Sequence, residues 1–552
     1  MGGLTAAALL SRAGLSVCVV EMASQAGGYL AGFHRNRFRF DTANHWLNQC
    51  NEGGMIHTIF ESIGTDYPKT RPQRFIKRFV GDKHDYLLSN NPDELKERLQ
   101  ADFPHEKEGI ERFYATAKRI GAQLNRYGTS IQSSETLSLL GKIKRGWTTM
   151  KFVWPFIPHV RFTGEDGLRK GLNRYFKDPK LQELFTTEPD MLSCLIPIGF
   201  AYFNDFQNPP VGGGQSFIEW LLHVAKQFGT EIFYHTKVNQ ILVKDGAAYG
   251  VEIDHRGEVH RIESKYVLAS CDIETLYEKM LPENSIPKEL KAKLREADLY
   301  HSSLTISVAL DCPPSQLGFS EEMIHISRQN QPKKDHSSGD PEKTEIIILA
   351  PSHRDESMAP AGNGTITIFM PAKMDCENFW NAEVDAEGNF VRGEAYKKLK
   401  TDYADVLIRR VEEKVAPELR KHILFYDVAT PITHYRYTGN KDGTMMGARP
   451  GKKNMQAGIA HYQTPVKNLI LSGHWAELGG GVPIAAKAGL NAALLVFKKE
   501  KPEMFTAYSD YINKKITAAQ LRSLPNLKQY TNNWERQLTP AELLAIRRKG
   551  VE

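Results

Sequence analysis

The first twenty residues combine a helical pattern of small side chains with a short apolar run. Four residues share one helical face, and the small ones among them would let a helix pack close to a sheet: Leu4, Ala7, Ala8 and Ser11. Gly14 follows where a helix C-cap belongs. Residues 16–20 are mostly apolar and β-branched, which is typical of a strand buried on both faces. The opening therefore predicts a helix and then a strand that ends at Glu21.

The same alternation returns in the middle of the chain. The glycines at 212–214 precede a predicted helix, and residues 231–234 are predicted as a strand. A hairpin follows through the turn at Asp245 and Gly246, and residues 263–270 are predicted as a further strand. Helices alternating with buried strands indicate an α/β protein. A chain of 552 residues is too long for one ordinary core, so two domains are expected.

Composition narrows the possible partners and compartments. Apolar residues make up 41% of the chain and the net charge is +6, which permits contact with anionic lipid headgroups but gives no reason to expect nucleic acid. The six cysteines form no Cys-x-x-Cys pair and no set with zinc spacing, so we expect reduced thiols, no metal site and a cytoplasmic protein. No uninterrupted apolar run reaches the ~18 residues that span a bilayer. The oligomeric state is left open.

The chain opens on part of a dinucleotide-binding fingerprint. An acid at the end of the second strand, about 20 residues past a glycine turn, binds the ribose in such units. Glu21 occupies that place, and Gly3, beside Gly2, stands where the third glycine of G-x-G-x-x-G belongs. The first strand and the first two glycines are missing. We expect the natural chain to begin about 10 residues earlier, one strand and its turn. The alternative is a protein that has lost its cofactor.

Two later motifs give the fingerprint a family. Gln25-Ala26-Gly27-Gly28-Tyr29 is followed by Phe40-Asp41-Thr42-Ala43. This order resembles FAD-dependent amine oxidases and phytoene desaturase-like enzymes, which carry an acid, a spacer, Gly-Gly and then Phe-Asp-x-Gly. Ala43 replaces the last glycine, and Tyr29 stands where many relatives carry Arg. A glycine pair lets the backbone approach the cofactor closely, since a Cβ would intrude.

The C-terminal resemblance is stronger. Residues 468–472 are predicted as a buried strand that runs into Gly473 and His474, and a small-residue helix is predicted at 484–493 after Gly479-Gly480-Gly481-Val482-Pro483. This looks like the family's closing FAD motif, in which the helix N-terminus points at the isoalloxazine and stabilises the anionic reduced flavin. Relatives often have Asp or Gln at the position of His474. The resemblance covers most of residues 2–500 and is closest to phytoene desaturases, carotenoid isomerases and retinol saturases.

The resemblance implies FAD as the cofactor and a set of residues that hold it. These are Gly2, Gly3, Glu21, Gly27, Gly28, Val238, Gly473, His474, Gly480, Gly481 and Val482. It implies a Rossmann-type FAD-binding domain and an interleaved α+β substrate domain. The predicted ranges are 1–75, 209–304 and 431–500 for FAD, 76–208 and 305–430 for substrate, and 501–552 for a C-terminal extension. No catalytic residue is assigned, because the cofactor carries the hydride and the protein positions the substrate.

Two apolar segments indicate where a substrate would enter. Residues 191–203 suit a tunnel wall, and ordinary core is an equally open interpretation. Residues 137–158 mix cations, aromatics and large aliphatics without acids, which suits a surface helix dipping into headgroups; a lid over the cavity is the alternative. The resemblance implies a long apolar polyene that is desaturated, saturated or isomerised. Two other functions stay open: an amine-oxidase-like enzyme with a compact aromatic cage that includes Trp475, and a non-enzymatic apolar-ligand-binding relic of the fold.

Overall fold

The computed structural model describes residues 1–42, 46–127, 130–186, 188–327, 335, 338–386 and 388–536. In chain order its strands are β1 (Cys18–Val20), β2 (Phe33–Arg35), β3 (Phe38–Phe40), β4 (Arg71–Pro72), β5 (Phe75–Val80), β6 (Asp85–Ser89), β7 (Gln207–Asn208), β8 (Glu231–Phe233), β9 (Thr236–Lys244), β10 (Ala247–His255), β11 (Glu258–Glu263), β12 (Val267–Ala269), β13 (Ser302–Leu310), β14 (Met323–Ile326), β15 (Ile346–Leu349), β16 (Gly364–Ala372), β17 (Glu383–Val384), β18 (Phe390–Val391), β19 (Ile423–Ala429) and β20 (Leu469–Leu471).

The main helices are named in the same way. They are α1 (Gly2–Arg12), α2 (Met55–Glu61), α3 (Pro92–Asp102), α4 (Lys107–Tyr127), α5 (Leu139–Val153), α6 (Gly164–Leu172), α7 (Pro179–Glu183), α8 (Met191–Ala201), α9 (Gln215–Gln227), α10 (Lys288–Arg295), α11 (Glu394–Lys414), α12 (Pro431–Thr438), α13 (Lys452–Ala457), α14 (Gly481–Glu500), α15 (Pro502–Ile512) and α16 (Ala518–Arg522).

Short parallel strands and small-residue helices form one half of the molecule. β1 pairs with β8, and β12 pairs with β20, both in parallel. The helices α1 and α14 pack so closely that a Cβ on Gly489 would lie 2.2 Å from the Gly2 carbonyl oxygen. Glycine and alanine at this crossing therefore allow the backbones to meet. In the described part of the chain no strand joins β1 to β12, and residues of both line a cavity.

One predicted strand is divided in the structure. Residues 263–270 were expected to form a single strand, but β11 ends at Glu263 and β12 begins at Val267. β11 pairs antiparallel with β10, whereas β12 pairs in parallel with β20. The expectation was wrong because the two ends of this segment pair with strands of two different sheets. Apolar periodicity does not show which partner a strand will have.

A sheet of seven strands forms the other half of the molecule, in the order β19-β13-β16-β15-β14-β5-β6. It is antiparallel except between β14 and β5. All nine residues of β13 are buried, and α11 packs against the sheet through Leu407 and Val411. The sheet takes strands from residues 75–89 and 302–429, and so it draws on both ranges that the sequence assigns to the substrate domain.

A group of helices from α3 to α8 has its own apolar core, which includes Phe113, Phe176 and Leu195. The long helix α4 crosses α8 at a pair of glycines: a Cβ on Gly121 would lie 2.2 Å from the Gly199 carbonyl oxygen. Asp190 caps α8 by accepting a hydrogen bond from the Ser193 N–H at 2.8 Å. This close crossing fixes the face that α8 turns toward the rest of the protein.

The chain beyond α14 packs back on the parallel-strand half. Tyr508 of α15 and Leu521 of α16 are fully buried in that core. The buried Arg12 guanidinium donates to the Ser62 carbonyl at 2.7 Å and to the Lys528 carbonyl at 3.3 Å. The first part of the predicted extension is therefore an integral layer of the core, while residues 537–552 lie outside the described part of the chain.

Within the described residues one helix, α14, is long and apolar enough to cross a membrane. However, 72% of the apolar stretch of this helix is buried inside the protein. Ala488, Ala492 and Leu494 are fully buried there. Such burial is what the central helix of a packed core shows, so length and composition do not make this helix a membrane span.

Candidate functional site

A cavity of about 2000 Å³ is lined by residues from both halves of the molecule. On one side its wall comes from the start of α1, the strands β1, β9 and β12, and the loop before α14. On the other side it comes from α8, β16, β18 and α12. The cavity also extends into the space between β1 and β12. A single space thus joins the glycine-rich segments to a largely apolar chamber.

All the residues that the sequence assigned to the cofactor line this cavity. They are Gly2, Gly3, Glu21, Gly27, Gly28, Val238, Gly473, His474, Gly480, Gly481 and Val482. They come from six separate stretches of chain, and the fold brings these stretches to one cavity. Motifs that are far apart in the sequence therefore meet at one place in the structure.

The two glycines at the start of α1 lie against backbone and a serine hydroxyl. A Cβ on Gly2 would lie 2.0 Å from the Ser472 carbonyl oxygen, and a Cβ on Gly3 would lie 2.9 Å from Ser270 Oγ. No larger residue fits at Gly2 without moving the strand end. α1 therefore begins within van der Waals reach of the loops that follow β12 and β20.

Glycines with positive φ shape the remaining walls. Gly27 has φ 131° and Gly28 has φ 57°, and both line the cavity. Gly480 has φ 55°, and a Cβ there would lie 2.3 Å from the Met446 carbonyl oxygen. An L-residue at Gly480 would meet both a backbone strain and a backbone clash. These loops thus present bare peptide groups to the cavity.

Two helices begin at the cavity wall. α1 begins at Gly2 and α14 begins at Gly481, and neither has an acidic residue in its first turn. The unpaired N–H groups and the partial positive charge of a helix N-terminus favour a bound anion. The helix predicted at 484–493 extends from Gly481 to Glu500 in the structure, and its first turn lies at the cavity. A ligand with negatively charged groups suits this wall.

Glu21 lies at the end of β1, where the sequence placed a ribose-binding acid. Its Oε1 accepts a hydrogen bond from the Ala23 N–H at 2.9 Å, which fixes the carboxylate against its own turn. Val238 of β9 lies on the same wall. A carboxylate next to a strand backbone offers acceptors for the hydroxyls of a nucleotide sugar.

His474 supplies a polar atom without a partner in the described structure. It lines the cavity, and burial lowers its pKa to about 4, so the imidazole is neutral at neutral pH. Its Nε2 makes no hydrogen bond within the described part of the protein. A buried, unpaired ring nitrogen costs free energy unless a ligand bonds to it. The neighbouring Trp475 is buried and does not line the cavity.

The other end of the cavity is aromatic and aliphatic. Its large rings are Trp46, Phe200, Tyr300, Phe369, Phe390 and Tyr435. The segment 191–203, expected as tunnel wall or as core, serves both purposes: Ile196 and Phe200 line the cavity, whereas Leu195 and Ile198 pack into the helical core. The period of α8 divides the segment between the two roles.

Sequence reasoning did not find most of this aromatic lining. One signal was present in β16, where Ile366, Ile368 and Met370 alternate with Thr367 and Phe369. Residues at a period of two lie on opposite faces of a strand. A large aromatic on the face that otherwise carries threonine marks a second apolar environment, and here that environment is the cavity.

Carboxylates are confined to the parallel-strand side. Among the described lining residues they are Glu21, Glu263 and Glu500. Tyr300 and Tyr435 carry the phenolic hydroxyl groups at the apolar end, and burial raises the pKa of Tyr300 above its usual value. Burial also raises the pKa of Tyr29 to about 12. Among the described residues that line the apolar end, none carries a carboxylate, and the two tyrosines are poor bases at neutral pH.

Comparison with known proteins then identifies the family. The family model for flavin-containing amine oxidoreductases matches residues 1–496. This chain belongs to that family. FAD is its cofactor, and the cavity fits FAD on two observations: the lining glycine Gly28, at which an added Cβ would stand in open space, and the two helix N-termini at Gly2 and Gly481.

Curated relatives of the family extend over most of the chain. The prolycopene isomerase of Daucus carota is 25% identical over 510 residues, which cover 89% of this chain and 78% of the relative. The all-trans-retinol 13,14-reductase of Danio rerio is 23% identical and covers 86% and 81%. The 4,4'-diapolycopene oxygenase of Methylomonas sp is 23% identical and covers 89% and 95%.

Solved structures of the family share the fold. Putrescine oxidase bound to putrescine superposes with a TM-score of 0.55 at 12% identity and covers 90% of this chain and 97% of that one. Cyclohexylamine oxidase from Brevibacterium oxydans superposes with a TM-score of 0.52 at 12% identity, with the same coverage. At these identities the likeness shows a flavoenzyme fold of mixed sheets and helices.

Proposed function

We propose that this protein is an FAD-dependent oxidoreductase that acts on a long, apolar polyene of the carotenoid or retinoid class. One observation carries the proposal: a single cavity is lined by the glycine-rich segments at one end and by aromatic and aliphatic side chains at the other. The curated relatives named above are named for carotenoids and a retinoid. An extended apolar molecule gains free energy by leaving water for such a chamber.

In this proposal the parallel-strand half is a Rossmann-type FAD-binding domain built from residues 1–75, 209–304 and 431–500. The N-termini of α1 and α14 hold the anionic parts of FAD, and Glu21 holds its ribose. The ring of His474, which lines the cavity, lies beside the cofactor. The substrate domain comprises residues 76–208 and 305–430, and it supplies the seven-stranded sheet and α8 to the apolar chamber.

The chemistry is divided between cofactor and chain. FAD, when bound, takes up or gives up a hydride. The chain's own residues exclude water from the chamber and align the polyene through side chains such as Phe369 and Ile196. Desaturation and saturation also move one proton, and the proposal names no side chain as its acceptor or donor, because the described lining of the apolar end carries no carboxylate. Desaturation, saturation and isomerisation are the three reactions that this arrangement admits.

The first test asks whether the purified protein holds FAD. Visible flavin absorbance after addition of FAD and gel filtration supports the proposal, and Gly480→Val is expected to abolish it. Gly146→Ala is the matched control, because a Cβ on Gly146 meets no atom within 4 Å. Absence of flavin from a folded wild-type protein, even with FAD in excess, would leave the apolar-ligand-binding relic as the surviving alternative.

The second test asks which substrate is changed. Pigments extracted from cells that co-express the chain with candidate polyenes are separated by chromatography. We expect a new absorbance spectrum or retention time, and its direction reports desaturation, saturation or isomerisation. Phe369→Asp is expected to suppress the conversion while flavin content is kept. A protein that holds FAD but leaves every supplied polyene unchanged contradicts the proposed substrate class.

The amine-oxidase-like alternative makes a different prediction in the same protein. It predicts a compact cavity with a cage of aromatic rings facing the flavin, and Trp475 is the candidate ring that the sequence offers. Trp475 is buried outside the cavity, and the cavity is large. We expect neither putrescine nor cyclohexylamine to reduce the bound flavin under anaerobic conditions. Rapid bleaching of the flavin by either amine would favour the alternative over the polyene proposal.

A further inference from the structure

The surface around α5 carries an apolar face that the described protein leaves uncovered. No residue of α5 is buried. Large apolar side chains stand in solvent along it and just beyond it: Leu139 is 76% exposed, Leu140 79%, Ile143 55%, Trp147 66%, Met150 64% and Trp154 72%. Single exposed apolar residues are ordinary, but a contiguous set marks an interaction site.

These six residues form one stripe. At about 100° per residue, their positions fall within an arc of about 100° on the helix, with Leu139 and Leu140 at its two borders. Arg145 and Phe152 lie on the opposite side. There the Arg145 guanidinium donates to the Gln132 carbonyl at 2.5 Å, and the Phe152 ring lies 5.0 Å from that of Phe156. The helix is therefore attached by one side and turns the apolar stripe outward.

Cations border the stripe on both sides. By the same period Lys144 and Lys151 lie beyond one border and Lys142 lies beyond the other, and all three are exposed. Residues 136–164 contain no aspartate or glutamate. Apolar side chains with lysines at their flanks match the two layers of a bilayer surface, acyl chains below and anionic headgroups above. A protein partner of ordinary composition would not require acids to be absent from the whole segment.

We propose that the α5 stripe docks the protein on the surface of a bilayer that contains anionic lipids. Trp147 and Trp154 enter the boundary between headgroups and acyl chains, and Lys142, Lys144 and Lys151 contact the headgroups. α5 packs on α4, whose Leu124 lines the large cavity. Docking therefore places the apolar chamber near the phase in which a polyene dissolves, although lipid binding itself does not depend on the proposed function.

The test uses the full FAD-loaded chain and vesicles of phosphatidylcholine with and without phosphatidylglycerol. We expect co-sedimentation with the anionic vesicles that weakens as salt is raised. The variant Lys142→Glu/Lys144→Glu/Lys151→Glu is expected to bind at least about tenfold more weakly, since each lysine near an anionic surface contributes substantially. The control Lys83→Glu/Lys244→Glu/Lys288→Glu makes the same charge change at exposed positions elsewhere and should bind better than the α5 variant.

The apolar contribution has its own pair of variants. Trp147→Ser/Trp154→Ser is expected to lose about tenfold or more in partitioning. The control Val259→Ser/Leu424→Ser removes two exposed apolar side chains elsewhere on the surface and should not show that loss. Quenching of tryptophan fluorescence by brominated lipid should fall in Trp147→Phe/Trp154→Phe, which still binds.

Three results would overturn the proposal. The first is that the wild-type protein stays in the supernatant with anionic vesicles. The second is that the variants of the stripe bind as tightly as the wild type. The third is that the wild type is a dimer, that Trp147→Ser/Trp154→Ser dissociates this dimer, and that neither form binds vesicles. The last result would identify a second copy of the chain as the occupant of the stripe. Flavin content and polyene conversion are measured separately, so a failure of docking is distinguishable from a failure of the proposed function.

Discussion

Ser270 Oγ lies 2.7 Å from Ser472 Oγ, although 202 residues separate the two serines in the chain. Each serine directly follows one of the paired parallel strands β12 and β20. The same two residues form the surface against which α1 begins, since Ser472 faces Gly2 and Ser270 faces Gly3. The hydroxyl pair therefore joins the two strand ends, and the helix N-terminus that we assign to the anionic part of FAD packs against them.

This relationship predicts different outcomes for the two glycines. Gly2→Ala places a Cβ 2.0 Å from a backbone carbonyl and should lower stability by about 3 kcal/mol, with loss of flavin. Gly3→Ala meets only the Ser270 hydroxyl, at 2.9 Å, and should cost about 1 kcal/mol. Thermal unfolding and flavin absorbance measure both effects.

A double substitution shows whether the loss of stability in Gly3→Ala comes from the steric contact with Ser270. Ser270→Ala removes the atom that Gly3→Ala would meet, so the pair should be more stable than the sum of the single changes predicts. The same Ser270→Ala should give no relief to Gly2→Ala, whose obstacle is backbone. Equal behaviour of the two glycines toward Ser270→Ala would contradict the packing described here.

His474 predicts a pH dependence of stability. Its pKa is lowered from 6.5 to about 4 by burial, so the unfolded chain binds a proton on this ring before the folded protein does. The stability is fully present above pH 6.5 and is lost as pH falls toward 4, by about 3 kcal/mol for this ring. His434, also buried with a pKa of about 4, adds to the acid sensitivity of the wild type.

The contribution of His474 to the pH dependence of stability is obtained by comparing the wild type with a variant that cannot titrate at this position. His474→Gln cannot titrate, so its unfolding free energy should fall less steeply than that of wild type between pH 6.5 and 4. Chemical denaturation at several pH values gives the two curves. If the curves run parallel through that interval, the ring does not have the lowered pKa that its burial implies.

Arg12 predicts that the chain beyond α14 is required for stability. Arg12→Leu leaves the carbonyls of Ser62, Ile63 and Lys528 without their donor and should cost about 3 kcal/mol. Arg37→Leu, at an exposed position, is the control for loss of a charge. Unfolding free energies in urea measure both. Equal small effects would mean that water replaces the guanidinium without penalty.

Two isoleucines on α8 separate substrate contact from core packing. Ile196 lines the cavity, whereas Ile198 is 2% exposed in the helical core. Ile196→Ala should weaken retention of a bound polyene and change stability little, while Ile198→Ala should cost about 3 kcal/mol and leave polyene retention per folded molecule unchanged. Pigment bound after affinity purification and the unfolding midpoint distinguish them. A reversal of the two effects would place the chamber on the wrong face of α8.

The cofactor wall was the part of the site most open to sequence reasoning. Gly27 and Gly28 were chosen because a turn beside a cofactor excludes a Cβ, and both have positive φ in the structure. Glu21 followed from its place at the end of a predicted strand. These features depend on a few neighbouring residues, so the chemistry of the local chain is enough to mark them. Their binding of FAD, residue by residue, stays a prediction.

The aromatic chamber was the least open to such reasoning. Trp46, Tyr300, Phe390 and Tyr435 come from separate segments, and each alone has the composition of ordinary core. The split of residues 263–270 between β11 and β12 likewise depended on which strands lay alongside. The sequence assigns residues 501–552 to an extension outside both domains, yet the buried Tyr508 and Leu521 of this extension pack into the core of the parallel-strand half.

The sequence by itself determined local features of this protein: where glycine must stand, and which short segments near the two ends of the chain are helical or extended. These follow from dihedral limits and helical period, which act over a few residues. Only the tertiary structure decided which surfaces meet, as with Ser270 and Ser472 or with Arg12 and the Lys528 carbonyl. Such contacts arise from the packing of the whole chain, because the free energy of burial depends on shape and area rather than on sequence neighbours.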